Sequence, residues 1–204
     1  SRGTANWVSW RTTSSDLGDN VPRSQFFPDE DLPAGFTRIT TVDYIGSGYD
    51  RGHLIPSADR FADRSANAET FAMTNIIPQS AELNQYPWRK LESYSRRLVR
   101  RGYDLYTIAG VYGDKGRLRR KVTVPTNCWK IIVVLRGGET LADVDASTRV
   151  IAVDMPNTLG IRDNWWEMYR TSVRAIEEKT GYDFLSALPK ELQVNLETRV
   201  DYGK

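Results

Sequence analysis

The chain holds one histidine, His53, in the run Gly48-Tyr49-Asp50-Arg51-Gly52-His53-Leu54-Ile55-Pro56. Imidazole is the side chain best matched to accepting a proton near neutral pH. Arg51 offers a planar fork for phosphate oxygens, and Gly52 permits backbone geometry closed to other residues. A lone histidine serves equally well as a structural residue, so its neighbours carry the chemical reading. Further along, Asn84 and Glu92 stand eight positions apart, about 80° of rotation if both are helical, which allows a shared side. Glu92 and Arg96 form an i,i+4 pair. Alone, that pair reads as an exposed ion pair of little energetic consequence; beside His53 and Asn84 it reads as part of a site.

Other chemistries fit poorly. The chain has no Gly-x-Ser-x-Gly elbow and no phosphate loop ending in Gly-Lys-Ser/Thr. With one histidine and one cysteine, Cys128, the usual zinc sites and any intrachain disulfide are excluded. A metal would have to sit among oxygen ligands, as Mg2+ and similar hard cations do. No apolar run approaches the roughly 20 residues that span a bilayer, so no membrane partner is expected. The start at Ser1 lacks an apolar signal core, which is compatible with the mature part of a secreted protein.

Net charge is only +2 but unevenly spread. Arg89, Lys90, Arg96, Arg97, Arg100 and Arg101 face a single Glu92 over one stretch, and Lys115, Arg117, Arg119, Arg120 and Lys121 form a second cluster. Such local excess can attract phosphate backbones, although each cluster could equally be a solvated face.

These groups need elements to hold them. Pro, Gly and Asp punctuate a loop-rich first 40 residues. Tyr44 to Pro56 reads as loop or strand, and Phe71 to Pro78 as strand. Pro87 can open a helix running to about Arg101, closed by Gly102, with Trp88, Leu91 and Leu98 on one apolar stripe. Leu105 to Val111, Lys121 to Val124, Trp129 to Leu135 and Arg149 to Val153 read as strands. Trp165, Trp166, Tyr169, Val173 and Ile176 recur at helical spacing, which predicts a buried helix face rather than a base-stacking platform, stopped at Thr180-Gly181. Leu188 to Val200 reads as a last helix. With no repeat and no long linker, residues 1–204 are expected to form a single domain. Helices and strands mix without strict βαβ alternation, which predicts an α+β fold around an antiparallel sheet.

The run YDRGHLIPSADR from Tyr49 to Arg60 resembles the Asp-Arg-Gly-His signature of the DNA/RNA non-specific endonucleases, a ββα-metal nuclease family. Met73 to Gln79, Leu83-Asn84-Gln85, Leu91 to Tyr94, Val122 to Pro125, Trp129-Lys130, Thr148 to Val153 and Gly181 to Leu185 continue the match in order and spacing. Within that family the chain is most similar to a secreted cyanobacterial branch. The resemblance implies a ββα-metal endonuclease fold, a central antiparallel sheet flanked by helices. It makes His53 the general base that activates water, Asn84 the direct Mg2+ ligand through its carbonyl oxygen, and Glu92 a metal contact through water. Arg96 meets the phosphate or leaving group, Arg51 is the motif arginine, and Arg23 is an upstream active-site arginine. Asp50 is a structural support. Mn2+ is expected to replace Mg2+, and the products to carry 5′-phosphate and 3′-hydroxyl ends.

Two departures stand out: relatives commonly carry a segment before Gly3-Thr4-Ala5-Asn6-Trp7-Val8, and Gln85 stands where a basic residue can occur, which would weaken one phosphate contact. The expected partners are DNA and RNA, with room for a protein inhibitor; the expected state is a monomer, secreted or periplasmic. A non-catalytic nucleic-acid-binding module is the alternative from another class, and a small-molecule phosphodiesterase is a third.

Overall fold

The computed structural model describes every residue except Ser1, Asn20, Arg23 and Lys204. Its centre is a five-stranded antiparallel sheet in the order β1-β4-β7-β8-β9, an α+β arrangement. The strands are β1 (Trp7–Thr12), β4 (Tyr103–Tyr112), β7 (Asn127–Arg136), β8 (Arg149–Pro156) and the short β9 (Arg170–Thr171). Two smaller ribbons pair β2 (Asp50–His53) with β3 (Ile76–Gln79), and β5 (Arg117–Leu118) with β6 (Val122–Thr123). The helices are α1 (Arg64–Glu69), α2 (Ala81–Leu83), α3 (Arg89–Arg100), α4 (Val173–Thr180) and α5 (Lys190–Thr198).

β7 explains the layering. It lies between β4 and β8, and its side chains alternate between two covered faces. Cys128, Ile132 and Val134 share a core with Trp88, Leu91, Leu98 and Val99, so α3 covers that face. Trp129, Ile131, Val133 and Leu135 join Val173, Ile176, Phe184 and Leu196 on the other, beneath α4 and α5. By the same alternation Lys130 points to the α3 side, buried in an otherwise apolar run.

The β2–β3 ribbon feeds directly into α3. Asp50 pairs with Gln79, Arg51 with Pro78, Gly52 with Ile77 and His53 with Ile76. Ser80 then caps α2, its side chain accepting from the Leu83 amide. The helix opens into a π turn over Asn84–Trp88 before continuing as α3. Pro87 lies inside that turn rather than opening a new helix; the wider turn accommodates a residue that has no N–H to give. Asn157, fully buried, anchors the ribbon to the main sheet by donating to the Pro78 and Pro125 carbonyls and accepting from the Ser80 amide.

One expected helix is not there. The Trp165–Ile176 run divides into a 3-10 turn (Trp166–Tyr169), β9 and α4. Trp166, Val173 and Ile176 are buried as their spacing predicts, but Trp165 is 64% exposed. Ser172 interrupts the run by capping α4, accepting from the Ala175 amide. Gly181 ends α4 in the left-handed region, at φ 74°. Of the strand expected over Phe71 to Pro78 only the end forms, as β3; Met73–Asn75 is a 3-10 turn closed by the Asn75 amide on the Ala72 carbonyl. The other strand and helix expectations hold within a few residues at each end.

Candidate active site

β2 and the π turn meet at the Asp50 carboxylate. Asp50 Oδ2 accepts from Asn84 Nδ2 at 2.9 Å and from Gln85 Nε2 at 2.8 Å. At the other end of the strand, Trp88 Nε1 donates to the His53 carbonyl at 3.3 Å. Asp50 is thus the support expected of it, and with the Asn84 amide nitrogen turned to a carboxylate, the carbonyl Oδ1 is the end left for a ligand. Gln85 helps fix Asp50.

Alternation along β2 sends Arg51 and His53 to the same side. The Phe26 ring lies under both, 5.5 Å from the His53 ring and 4.6 Å from the Arg51 guanidinium carbon. Phe71 meets the His53 ring edge-on at 5.0 Å. Aromatic walls on two sides restrict how the imidazole can turn. Beyond it, the Asn75 side chain accepts from the Ile55 amide and donates to the Ile55 and Thr70 carbonyls, fixing the chain that leaves β2.

The motif glycine answers to space rather than backbone angle. Its φ is not in the left-handed region, but a Cβ at Gly52 would lie 2.0 Å from Gln79 Oε1 and 2.7 Å from Gln79 Cγ. The buried Gln79 side chain crosses the ribbon where any larger residue would project.

Glu92 and Arg96 do not form the exposed ion pair their spacing suggests. Arg96, 13% exposed, donates from Nη1 to Asp59 Oδ1 at 3.0 Å and from Nη2 to Ser93 Oγ at 3.3 Å. Glu92, also 13% exposed, faces the Lys130 ammonium at 3.9 Å. Asp59 and Lys130 are almost fully buried, and Asp59 also accepts from Trp10 Nε1 at 3.2 Å. The result is a buried group of two acids and two bases reaching across α3, β7 and the Ser57–Arg60 turn. Burial lifts the Glu92 carboxyl to about 7 despite the pull of Lys130 and Arg96. The same burial pushes the Lys130 ammonium below its ordinary value, while its Nζ lies 4.2 Å from the Trp88 ring centroid.

The ribbon thus brings Arg51 and His53 together, and Asp50 joins them to Asn84. Glu92 and Arg96, one turn apart on α3, bring in the second group of charges, and α3 is continuous with the π turn. Arg23 lies outside the described residues. Sequence reasoning missed Asp59 and Lys130 as members of the charge group. A lysine in the otherwise apolar run Cys128–Leu135, and an acid at the end of the signature run, were the signals available.

The oxygen donors here suit a hard cation: an oriented amide carbonyl with a buried carboxyl farther along the same helix. Cys128 lies buried in the apolar core, where burial pushes its thiol up to about 12. A separate acidic group, Glu177, Asp183 and Glu197, has oxygens within 4.8 Å of one another and could hold a metal ion. It belongs to α4, α5 and the segment between them, on the opposite side of the sheet from α3, and Arg174 pairs with both glutamates.

A family model described as DNA/RNA non-specific endonuclease matches residues 1–191. The chain is 49% identical over 203 residues to a protein named Nuclease from Nostoc sp., covering 98% of this chain and 74% of that one. It is 32% identical to the mitochondrial Nuclease EXOG of Danio rerio, over 92% of this chain and 57% of the other. Endonuclease G, mitochondrial, of Homo sapiens is 30% identical, over 89% and 63%. The chain therefore spans less than two thirds of each mitochondrial relative. Among solved structures, a chain of an EndoG/EndoGI complex, whose subject is the mechanism of EndoG inhibition, superposes with a TM-score of 0.78 at 26% identity, covering 94% of this chain and 82% of that one.

Proposed function

Because this chain belongs to the DNA/RNA non-specific endonuclease family, we propose that residues 1–204 act as one domain that hydrolyses phosphodiester bonds of DNA and RNA alike. The observation that carries this reading is the bond from Asn84 to Asp50, which ties the metal-ligand candidate to the strand bearing Arg51 and His53.

His53, confined by Phe26 and Phe71, takes the proton from the attacking water. Arg51, fixed over Phe26, supplies a charge for phosphate oxygens, and Arg23 is a further phosphate contact by family resemblance. Asn84 Oδ1 would hold Mg2+, or Mn2+ in its place, and Glu92 would contact the ion through water. When bound, such a cation offers Lewis-acid stabilisation of the charge that develops on the phosphate and the departing 3′ oxygen. Arg96, held by Asp59 and Ser93 in one orientation, meets the same charge without reorganising. The departing 3′ oxygen takes a proton from water, so the cuts leave 5′-phosphate and 3′-hydroxyl ends; none of these groups needs a 2′-hydroxyl, so both sugars serve. The substrates are single- and double-stranded DNA and RNA. A secreted or periplasmic location follows the family resemblance, the chain acts as a monomer, and the likeness to a chain solved with EndoGI supports susceptibility to a protein inhibitor. Among the described residues no helix is long and apolar enough to cross a membrane.

Digestion of plasmid DNA and total RNA tests the proposal. Both should be degraded with Mg2+ and spared with chelator, and Asn84→Ala should lose most of the activation by the ion. Salt-sensitive binding without cleavage would instead favour a non-catalytic nucleic-acid-binding module.

A further inference from the structure

Trp165 breaks the pattern of its neighbours. Trp166 turns inward against Tyr94, with ring centroids 5.0 Å apart, and leaves Trp165 outside. The segment that carries Trp165 is nevertheless held firmly. Glu82 Oε2 accepts from the backbone amides of Gly160, Ile161 and Arg162, and Lys90 Nζ donates to the Asn164 carbonyl. Lys90 Nζ also stands 4.9 Å from the Trp165 ring centroid. Both ties run to the helical segment that contains the candidate site, so the backbone that carries the exposed indole is fixed relative to α3.

Beside it lies a cleft of about 410 Å³, lined by Arg89, Lys90, Arg96, Arg97, Trp165 and Glu167 among others. These are four cations and one carboxylate. The volume falls within the range of small-ligand sites, and Arg96 joins the cleft to the buried charge group beside Asp59. A fixed aromatic ring beside a line of cations is the combination that holds single-stranded nucleic acid, with bases stacking and phosphates tracking the charge. A duplex keeps its bases stacked on one another and can offer this surface only its backbone.

We propose that Trp165 and the cleft beside it form a subsite for an unpaired nucleotide of the substrate strand, flanking the scissile phosphate. The proposal rests on the nuclease reading for its orientation, and it assigns to the Trp165 loop a preference for single-stranded over double-stranded substrate.

The test measures binding in chelator, where cleavage is not expected, by fluorescence anisotropy of labelled oligo-dT and of a hairpin duplex of equal charge. Trp165→Ala should weaken oligo-dT binding about tenfold, within the range of one lost base–aromatic stack, and should weaken duplex binding much less. Trp165→Phe should restore most of the difference, because it keeps a π face. Thermal melts check that both variants are folded. Equal losses on the two probes, or no loss on either, would overturn the subsite. So would unchanged oligo-dT binding together with loss of a concentration-dependent dimer in Trp165→Ala, which would assign the ring to a protein contact. Plasmid and RNA digestion by the unaltered chain, run in parallel, separates the two readings. A chain that binds as expected but does not cut keeps the subsite and loses the nuclease; a chain that cuts with no Trp165 effect does the reverse.

Discussion

Glu92 carries the clearest electrostatic consequence at the scale of single residues. Its carboxyl sits at about 7 in the folded chain because burial disfavours the charge; an unfolded glutamate titrates near 4.3. Between those values the folded state holds a proton that the unfolded state has released, so stability from this group is full at low pH and is lost as pH rises through 7. Glu92→Gln cannot lose that proton. In chelator, the melting temperature of the wild type should therefore fall relative to Glu92→Gln between pH 5 and pH 8, and parallel profiles would contradict the assignment. Arg96 predicts differently. It compensates the nearly buried Asp59, so Arg96→Ala should destabilise the fold, with a cost approaching the roughly 3–5 kcal/mol of a broken buried pair, less what Lys130 and Trp10 still offset. Denaturant unfolding measures it; a loss under about 0.5 kcal/mol would return the pair to an exposed, unimportant contact. Arg96→Lys should recover only part, since one ammonium cannot reproduce a fork that reaches both Asp59 and Ser93.

At the scale of elements, the β2–β3 ribbon depends on one small residue. Gly52→Ala places a methyl against a buried glutamine, and overpacking of this kind costs about 1–3 kcal/mol. Gln79→Ala in the same chain should recover much of that loss, which a thermal melt of the double variant checks; no recovery would mean that Gly52 serves something other than space. The sequence displayed these elements unevenly. β4, β7 and β8 are legible because their runs are β-branched and bounded by glycine or proline. α3 is legible from the Trp88, Leu91 and Leu98 stripe. The helix expected across Trp165 to Ile176 fails because helical spacing persisted by coincidence through three short elements, and only Ser172, an N-cap residue inside the run, hinted at the break. The π turn left no readable periodicity, since it widens one turn of a helix whose other signals were intact.

In the whole molecule the proposed chemistry falls along one helix and one ribbon, both resting on the same face of the central sheet. His53, Arg51, Asn84, Glu92 and Arg96 were legible as a set through the signature run and its downstream matches. Their supports were not: Lys130 reaches Glu92 from a strand 38 positions away, and Asp59 reaches Arg96 across 37. Pairings set by tertiary packing leave no local pattern. If this assembly turns over nucleic acid through the one imidazole in the chain, single-turnover cleavage depends on His53. Labelled DNA and RNA strands are mixed with excess enzyme in Mg2+, wild type beside His53→Ala, with matched thermal melts and binding. The wild type should cut both strands, while His53→Ala binds both yet cuts at least about 10²-fold more slowly, the lower bound for a lost general base. Cleavage by His53→Ala within tenfold of wild type would contradict it.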